Sequence, residues 1–190
     1  KRGVSTSSIS AFQIGYSPDG WDALKNHLLS HGYAENDLLS AGLVVEREGR
    51  GHYDRFRNRL MFPIRDAQGR ITGFGGRALD DSLPKYMNSP QTAIFDKSST
   101  VYGVDRAKAA IKRENRVVIV EGYMDVIMAH QYGFENVVAS MGTSLTEKQA
   151  VILRKLTRRF TLALDSDAAG TEATLRGADT IDRALEHRVV

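Results

Sequence analysis

The chain is 190 residues long with 42% hydrophobic and 26% charged residues, enough for one large or two small domains. Its 26 Lys and Arg against 23 Asp and Glu leave a net charge of +3, too small an excess to name a partner. Cysteine is absent, which excludes disulfides and thiolate metal ligation within these residues and suits a reducing cytoplasm.

Apolar runs such as Val117–Val120 fall far short of the ~20 residues a membrane helix needs, and serines follow Lys1-Arg2-Gly3 where a signal region would be apolar. No membrane association is expected. With no initial Met, and with His187–Val190 reading as the start of a strand, the chain reads as a segment of a longer soluble protein.

Residues 10–50 predict two short helices of a packing module. Trp21, Leu24, Leu28 and Leu29 recur at helical spacing before Gly32, and Leu38, Leu39 and Leu43 bracket a second stop at Gly42. Between Arg50 and Arg77, seven arginines face only Asp54 and Asp66. Arg59–Arg65 and Arg70–Arg77 predict strands of a hairpin turned by Asp66-Ala67-Gln68-Gly69. Arg55, Arg57 and Arg59 alternate, so an extended chain would project all three from one face. A solvated charged face is one reading. Mutual repulsion without matching acids favours the other, an external polyanion.

Residues 80–105 read as a loop. Within it, Lys85, Tyr86 and Asn88 are types that hold a phosphate, stack on a base and read a base edge. After Arg116 strands and helices alternate: strand Val117–Val120, helix Tyr123–Tyr132 before Gly133, strand Asn136–Ser140, and helix Thr146–Leu156 with a Thr146…Gln149 capping box. Strand Arg159–Asp165 and helix Ala168–Leu185 follow. This order predicts parallel strands with right-handed crossovers, and a domain boundary near Glu114.

Ligands of open α/β sheets gather at the carboxyl ends of the strands. Glu121 closes the first of these strands and Asp165 the third, with Asp167 two residues on and Asp125 one helical turn beyond Glu121. Four carboxylates aimed at one edge would repel each other, and a hard divalent cation, Mg²⁺ or Mn²⁺, would relieve that conflict. Helix capping by Asp165 or Asp167 explains one acid rather than four.

Other motifs fail. The calcium-loop beginning at Asp165 has Arg176 at its twelfth position, no helix follows Gly73–Ala78 before Leu83-Pro84, and His27 and His31 lack the Glu of a zinc helix. No Walker loop or nucleophile elbow occurs. Metal-holding carboxylates with phosphate-holding cations describe phosphoryl or nucleotidyl transfer.

Glu121-Gly122-Tyr123-Met124-Asp125 and Asp165–Gly170 resemble the two acidic motifs of a Toprim domain. Arg57–Ile64, Gly73–Arg77 and Pro84–Pro90 resemble the signature of the bacterial replicative DNA primases of DnaG type, and the likeness runs over essentially the whole chain. The resemblance implies an α+β basic N-terminal subdomain, residues 1–114, followed by an incomplete α/β Toprim domain with a parallel sheet, residues 115–190. It implies a DNA-directed RNA polymerase, a nucleotidyltransferase that copies single-stranded DNA into RNA primers from ribonucleoside triphosphates. Glu121, Asp165 and Asp167 would be catalytic and hold Mg²⁺ or Mn²⁺ with Asp125 in support. Arg57, Asn58, Arg59, Arg77, Lys85, Tyr86, Asn88 and Lys97 would bind nucleotide or DNA.

The family's zinc module and helicase-binding domain, and its third acidic motif, are expected outside this chain, so this segment alone is expected to be weakly active or inactive. A monomeric core acting at the cytoplasmic replication fork is expected. A non-catalytic Toprim nucleic-acid-binding module and a phage primase–helicase are the alternatives. Glu121 separates the first from a polymerase, since a scaffold has no use for an acid at that strand end.

Overall fold

Glycines and short polar runs cut the first hundred residues into small elements. The computed structural model, which describes residues 3–47, 49, 51–141, 144–165 and 168–186, shows them in order. These are α1 (Thr6–Phe12), β1 (Gly15–Ser17), α2 (Ala23–Ser30), α3 (Glu35–Ser40), β2 (Val44–Glu46), β3 (His52–Asp54), β4 (Arg59–Arg65), β5 (Ile71–Ala78) and β6 (Tyr86–Asn88). There follow α4 (Val104–Glu114), β7 (Val117–Val120), α5 (Tyr123–Gln131), β8 (Val137–Ala139), α6 (Glu147–Arg154), β9 (Phe160–Leu162) and α7 (Ala168–Glu186). They form two compact units, one of Ile9–Ile64 and Ile71–Asp96, the other of Lys1–Ser8, Arg65–Arg70 and Lys97–Val190.

The first of these units holds a sheet ordered β1-β4-β5-β6 and the separate β2–β3 hairpin. Phe62 and Ile64 of β4 are fully buried, with Phe56, Ala78 and Phe95 also in the core. Burying one such large side chain stabilises the fold by about 1.5–3 kcal/mol. The predicted hairpin between β4 and β5 is present: Asp66 Oδ1 accepts from the N–H groups of Gln68 and Arg70, and Gly69 takes φ +86°. Gly42 does more than stop α3. Its φ is +69°, and a Cβ there would lie 2.6 Å from Pro90 Cδ, so the site admits no side chain without a shift.

Several local expectations need correction. Residues 10–50 hold β1 and β2 beside their helices, because these three-residue strands are made by pairing with distant partners, Gly15 with Met61 and Val44 with Asp54. Trp21 precedes α2 and is 54% exposed rather than lying on an apolar helical stripe, and α2 buries none of its residues fully. The start of α2 is closed by Asp54, whose buried carboxylate accepts from Leu24 N–H at 2.6 Å and Lys25 N–H at 2.9 Å. The loop expected over 80–105 contains β6 and, from Val104, the start of helix α4.

The second unit is the predicted α/β arrangement. Its sheet is ordered β8-β7-β9, and both pairings are parallel, Ile119 opposite Val138 and opposite Leu162. Val117, Ile119 and Val138 share a core with Val104, Ala107 and Ile111 of α4, Ala150 and Leu153 of α6, and Ile181 and Ala184 of α7. The capping box of α6 is present: Thr146 Oγ1 accepts from Gln149 N–H at 3.1 Å, and Gln149 Oε1 accepts from Thr146 N–H at 3.0 Å. Among the described residues no helix is long and apolar enough to cross a membrane.

His130 near the end of α5 gives this unit a pH dependence. Its Nε2 lies 2.9 Å from the Val137 carbonyl, which the ring donates to when that nitrogen carries the proton. Burial lowers its pKa against the opposing pull of the Val137 carbonyl, Glu135 and Asp105, with Arg106 adding to the lowering. A lowered folded-state pKa means the unfolded chain takes the proton first as pH falls. Stability is therefore expected to decline below about pH 6.5. Thermal melting followed from about pH 8 to about pH 5 should show this, and His130→Gln should flatten that part of the profile.

Candidate functional site

The parallel pairing of β7 with β9 brings the residues after their carboxyl ends together. Glu121 directly follows β7 and Asp165 follows β9 by three residues, and Asp165 N–H donates to Glu121 Oε1 at 3.0 Å. Pairing continues past β9, with Ala163 N–H donating to the Ile119 carbonyl at 2.8 Å, so the Asp165 segment is carried directly to Glu121. Asp125 sits in the first turn of α5, is exposed, and accepts Gly122 N–H on Oδ2 at 3.1 Å. That bond closes the helix N-terminus.

Asp167 lies outside the described residues, and among the described residues no group of three or more His, Asp or Glu is placed to hold a metal. The donors that are placed, Glu121 and Asp165, are hard carboxylate oxygens at adjacent strand ends. One accepted N–H leaves Glu121 most of a carboxylate's lone-pair capacity, and this donor chemistry fits Mg²⁺ or Mn²⁺. Behind it, Tyr123 packs edge-on against Tyr102 with ring centroids 4.7 Å apart, and its hydroxyl donates to Met141 Sδ at 3.6 Å. Burial pushes both phenols well above their ordinary pKa, so neither is available as a base near neutral pH.

Lys97 belongs to the same unit as these acids. Tyr102 and Ala139 exchange backbone hydrogen bonds of 2.9 and 3.1 Å in an antiparallel bridge. The chain before Tyr102 therefore runs past the carboxyl end of β8, on the edge where Glu121 lies.

In the other unit, Arg57, Asn58 and Arg59 line a polar cavity of about 520 Å³ together with Arg55, Trp21 and Asp80. The three arginines reach it differently from the expected alternation. Residues 55–58 lie in no strand, Asn58 has φ +48°, and Arg59 begins β4. Arg55 Nε donates to the Gly42 carbonyl at 2.9 Å, and Arg59 is 6% exposed with Nη1 donating to the Pro84 carbonyl at 2.8 Å. Burial is the main influence lowering the pKa of both; Asp80 opposes it at Arg59 and Arg57 reinforces it. Guanidinium remains charged regardless.

Arg57 lies over Trp21, 4.1 Å from the ring centroid, and 5.0 Å from that of Tyr53, while Nη1 donates to the Asp54 carbonyl at 2.7 Å. The cluster also has an acid beyond the Arg50–Arg77 segment. Asp80 accepts from Asn58 Nδ2 at 2.9 Å, and hydrogen bonds from Ser82 and then Asn58 hold its carboxyl below the usual range.

Arg77, Tyr86 and Asn88 lie elsewhere. In the β5–β6 register Arg77 opposes Tyr86 and Gly75 opposes Asn88. Alternation puts these on one sheet face and Gly76 with Met87 on the other, where Met87 lines the arginine cavity. Arg77 lies 5.9 Å from the Tyr86 centroid, and its buried Nε has no hydrogen-bond partner among the described residues. Lys85, one residue before β6, is exposed.

Sequence patterning alone missed Trp21, Tyr53 and Asp80 at the cavity. Trp21 shared the period of the leucines after it, and only its position before the helix separates it from them. Asp80 carried no motif.

Residues 1–108 match the family model of the DNA primase catalytic core, N-terminal domain, and residues 115–190 that of the Toprim domain. A DNA primase of Deinococcus radiodurans is 50% identical over 182 residues, 95% of this chain and 32% of the relative. The chain spans about a third of the length of the curated relatives it matches. The Escherichia coli primase catalytic core superposes with TM-score 0.86 at 42% identity, covering 94% of this chain and 57% of that one. A structure of the DnaG primase catalytic domain bound to ssDNA gives 0.84 at 43% identity, covering 94% and 56%.

Proposed function

The chain belongs to the DnaG-type DNA primase family, carrying the N-terminal domain of the catalytic core and a Toprim domain, and from this we propose that it is the catalytic part of a primase that makes RNA primers on single-stranded DNA. In this reading residues 1–114 hold template, apart from Lys97, and residues 115–190 carry the chemistry. The observation that carries it is the placement of Glu121 and Asp165 at adjacent carboxyl ends of parallel strands. A binding scaffold would have no use for such a pair.

Mg²⁺ or Mn²⁺ would be held by Glu121, Asp165 and Asp167 with Asp125 beside them, and would supply charge neutralisation at the transferring phosphoryl group. Glu121 would hold metal or accept the proton of the attacking 3′ hydroxyl. Lys97 meets triphosphate oxygens from the β8 edge. Arg57 and Arg59 hold template phosphates in their cavity, as fixed cations that carry no sequence information. Arg77 adds charge at the β5–β6 face where Tyr86 offers a ring and Asn88 an amide to a base, and exposed Lys85 adds charge from the residue before β6. Template, ribonucleoside triphosphates and growing primer are the partners; the replicative helicase would be met through a domain outside this chain, at the cytoplasmic fork.

Isothermal titration with Mn²⁺ tests the acidic edge. Removing two carboxylates from a site built of acids should abolish most of the binding, so Asp165→Ala plus Asp167→Ala should weaken Mn²⁺ at least about tenfold in the full-length protein. Unchanged affinity would remove the metal from this edge.

A further inference from the structure

We propose that Gln149, a buried amide on α6, is a positioning residue that sets Lys97 against the carboxylate edge. The inference rests on the reading of Lys97 as a triphosphate contact. Gln149 is fully buried, yet it is polar. Its Oε1 is used in the capping box, while Nε2 donates to the Thr100 carbonyl at 2.7 Å and lies 3.3 and 3.4 Å from the carbonyls of Lys97 and Ser140.

One amide thus joins three stretches of chain: the first turn of α6, the Lys97–Thr100 segment, and the residue after β8. The same helix start holds that segment twice more. Thr146 Oγ1 donates to the Ser98 carbonyl at 2.5 Å, and Lys148 Nζ reaches Ser98 Oγ at 3.3 Å. A capping box needs only the Thr146–Gln149 exchange. The amide's two N–H groups are spent elsewhere, on the segment that begins with Lys97 and on the residue following β8, whose neighbour β7 is directly followed by Glu121.

The chemistry requires this kind of hold. A lysine on a long flexible stem contributes to phosphate binding only when its backbone is placed, since a misplacement of about 1 Å can cost ~10²-fold. Two carbonyl contacts, from Thr100 at 2.7 Å and Lys97 at 3.3 Å, to a fully buried donor fix the backbone at the root of that stem. Removing the donor leaves those carbonyls without it inside the fold, and the segment is free to move towards water.

The test is a double-mutant cycle in the full-length protein, with primer synthesis measured against ribonucleoside triphosphate concentration. Gln149→Met keeps the length of the side chain and loses the donor. It should raise the KM for ribonucleotide about tenfold, with kcat within about threefold and single-stranded DNA affinity unchanged. Lys97→Met should raise KM on its own. In the Lys97→Met background, Gln149→Met should then change KM less than about twofold, because the group it positions has gone.

Thr146→Val removes the hydroxyl that reaches Ser98 and should give a smaller rise in KM that Thr146→Ser restores; this pair carries the test if Gln149→Met does not fold. Full additivity of Gln149→Met and Lys97→Met, or of Thr146→Val and Lys97→Met, would overturn the positioning role while leaving the Lys97 assignment standing. An unchanged KM in Lys97→Met would overturn that assignment, and the inference with it.

Discussion

Glu121→Gln is expected to reduce primer synthesis by about 10³-fold, a loss of about 4 kcal/mol of transition-state stabilisation, while the protein melts where the unaltered one does. The substitution suits the site. Glu121 Oε1 accepts Asp165 N–H at 3.0 Å, and the carbonyl oxygen of Gln accepts the same bond. The join between the ends of β7 and β9 therefore survives. What disappears is one negative charge and one proton acceptor, which matter where charge builds up and a 3′ hydroxyl loses its proton. Template affinity should also survive, since the arginine cavity contains none of these groups. Melting temperature, DNA affinity and primer yield on the same variant separate the cases. Normal yield would remove Glu121 from the chemistry, and a collapse of melting with yield would make it a structural residue.

The second large effect is expected at the Arg57–Trp21 pair. Trp21 is 54% exposed on the rim of a cationic cavity, an arrangement in which an aromatic face can take an unstacked base. Trp21→Ala should weaken single-stranded DNA binding by about 1–3 kcal/mol, roughly 5- to 150-fold, and leave the salt dependence as it was. Arg57→Ala should also weaken binding, but through its salt-dependent part. Each phosphate contact on a single strand adds about 0.7 to the slope of log affinity against log salt, so that slope should fall by about this amount. Arg59→Ala should behave like Arg57→Ala if Arg59 turns to phosphate, and should lower the melting temperature as well, since Arg59 is buried with a hydrogen bond to the Pro84 carbonyl. An unchanged slope in both arginine variants would leave them a cluster held for the fold alone.

What could be read in advance divides along physical lines. Strands β7 and β8 and their helices were legible because these parallel strands spell short apolar runs, Val117–Val120 and the fully buried Val137–Ala139, with capping residues such as Thr146 between them; β9 is only half-buried, with Thr161 exposed. The position of Glu121 followed from a strand end and topology, whereas Asp165, read as closing its strand, lies three residues past the end of β9 at Leu162. The first unit was harder. Its strand β1 exists because Gly15–Ser17 pairs with Arg59–Met61, a contact between residues more than forty positions apart that no local window contains. Helix α4 was hidden by its charge: Val104, Ala107, Ala110 and Ile111 face the core, but the remaining positions are mostly basic or acidic.

The arginine cluster was foreseen for its composition and misread for its geometry. A left-handed Asn58 and the carbonyls of Gly42, Asp54 and Pro84, rather than strand alternation, bring Arg55, Arg57 and Arg59 to one cavity. Such backbone acceptors have no sequence signature, and neither does the triple contact of Gln149.

The central claim is that the acidic strand ends and the arginine cavity serve one reaction, templated polymerisation of ribonucleotides. It is tested most directly by offering the full-length protein a single-stranded DNA of defined sequence with labelled ribonucleoside triphosphates and Mg²⁺, and sequencing the products. The account predicts short RNA complementary to the template, lost when the divalent ion is chelated and lost in Glu121→Gln. RNA whose sequence ignores the template, or synthesis that continues unchanged in Glu121→Gln, would contradict it.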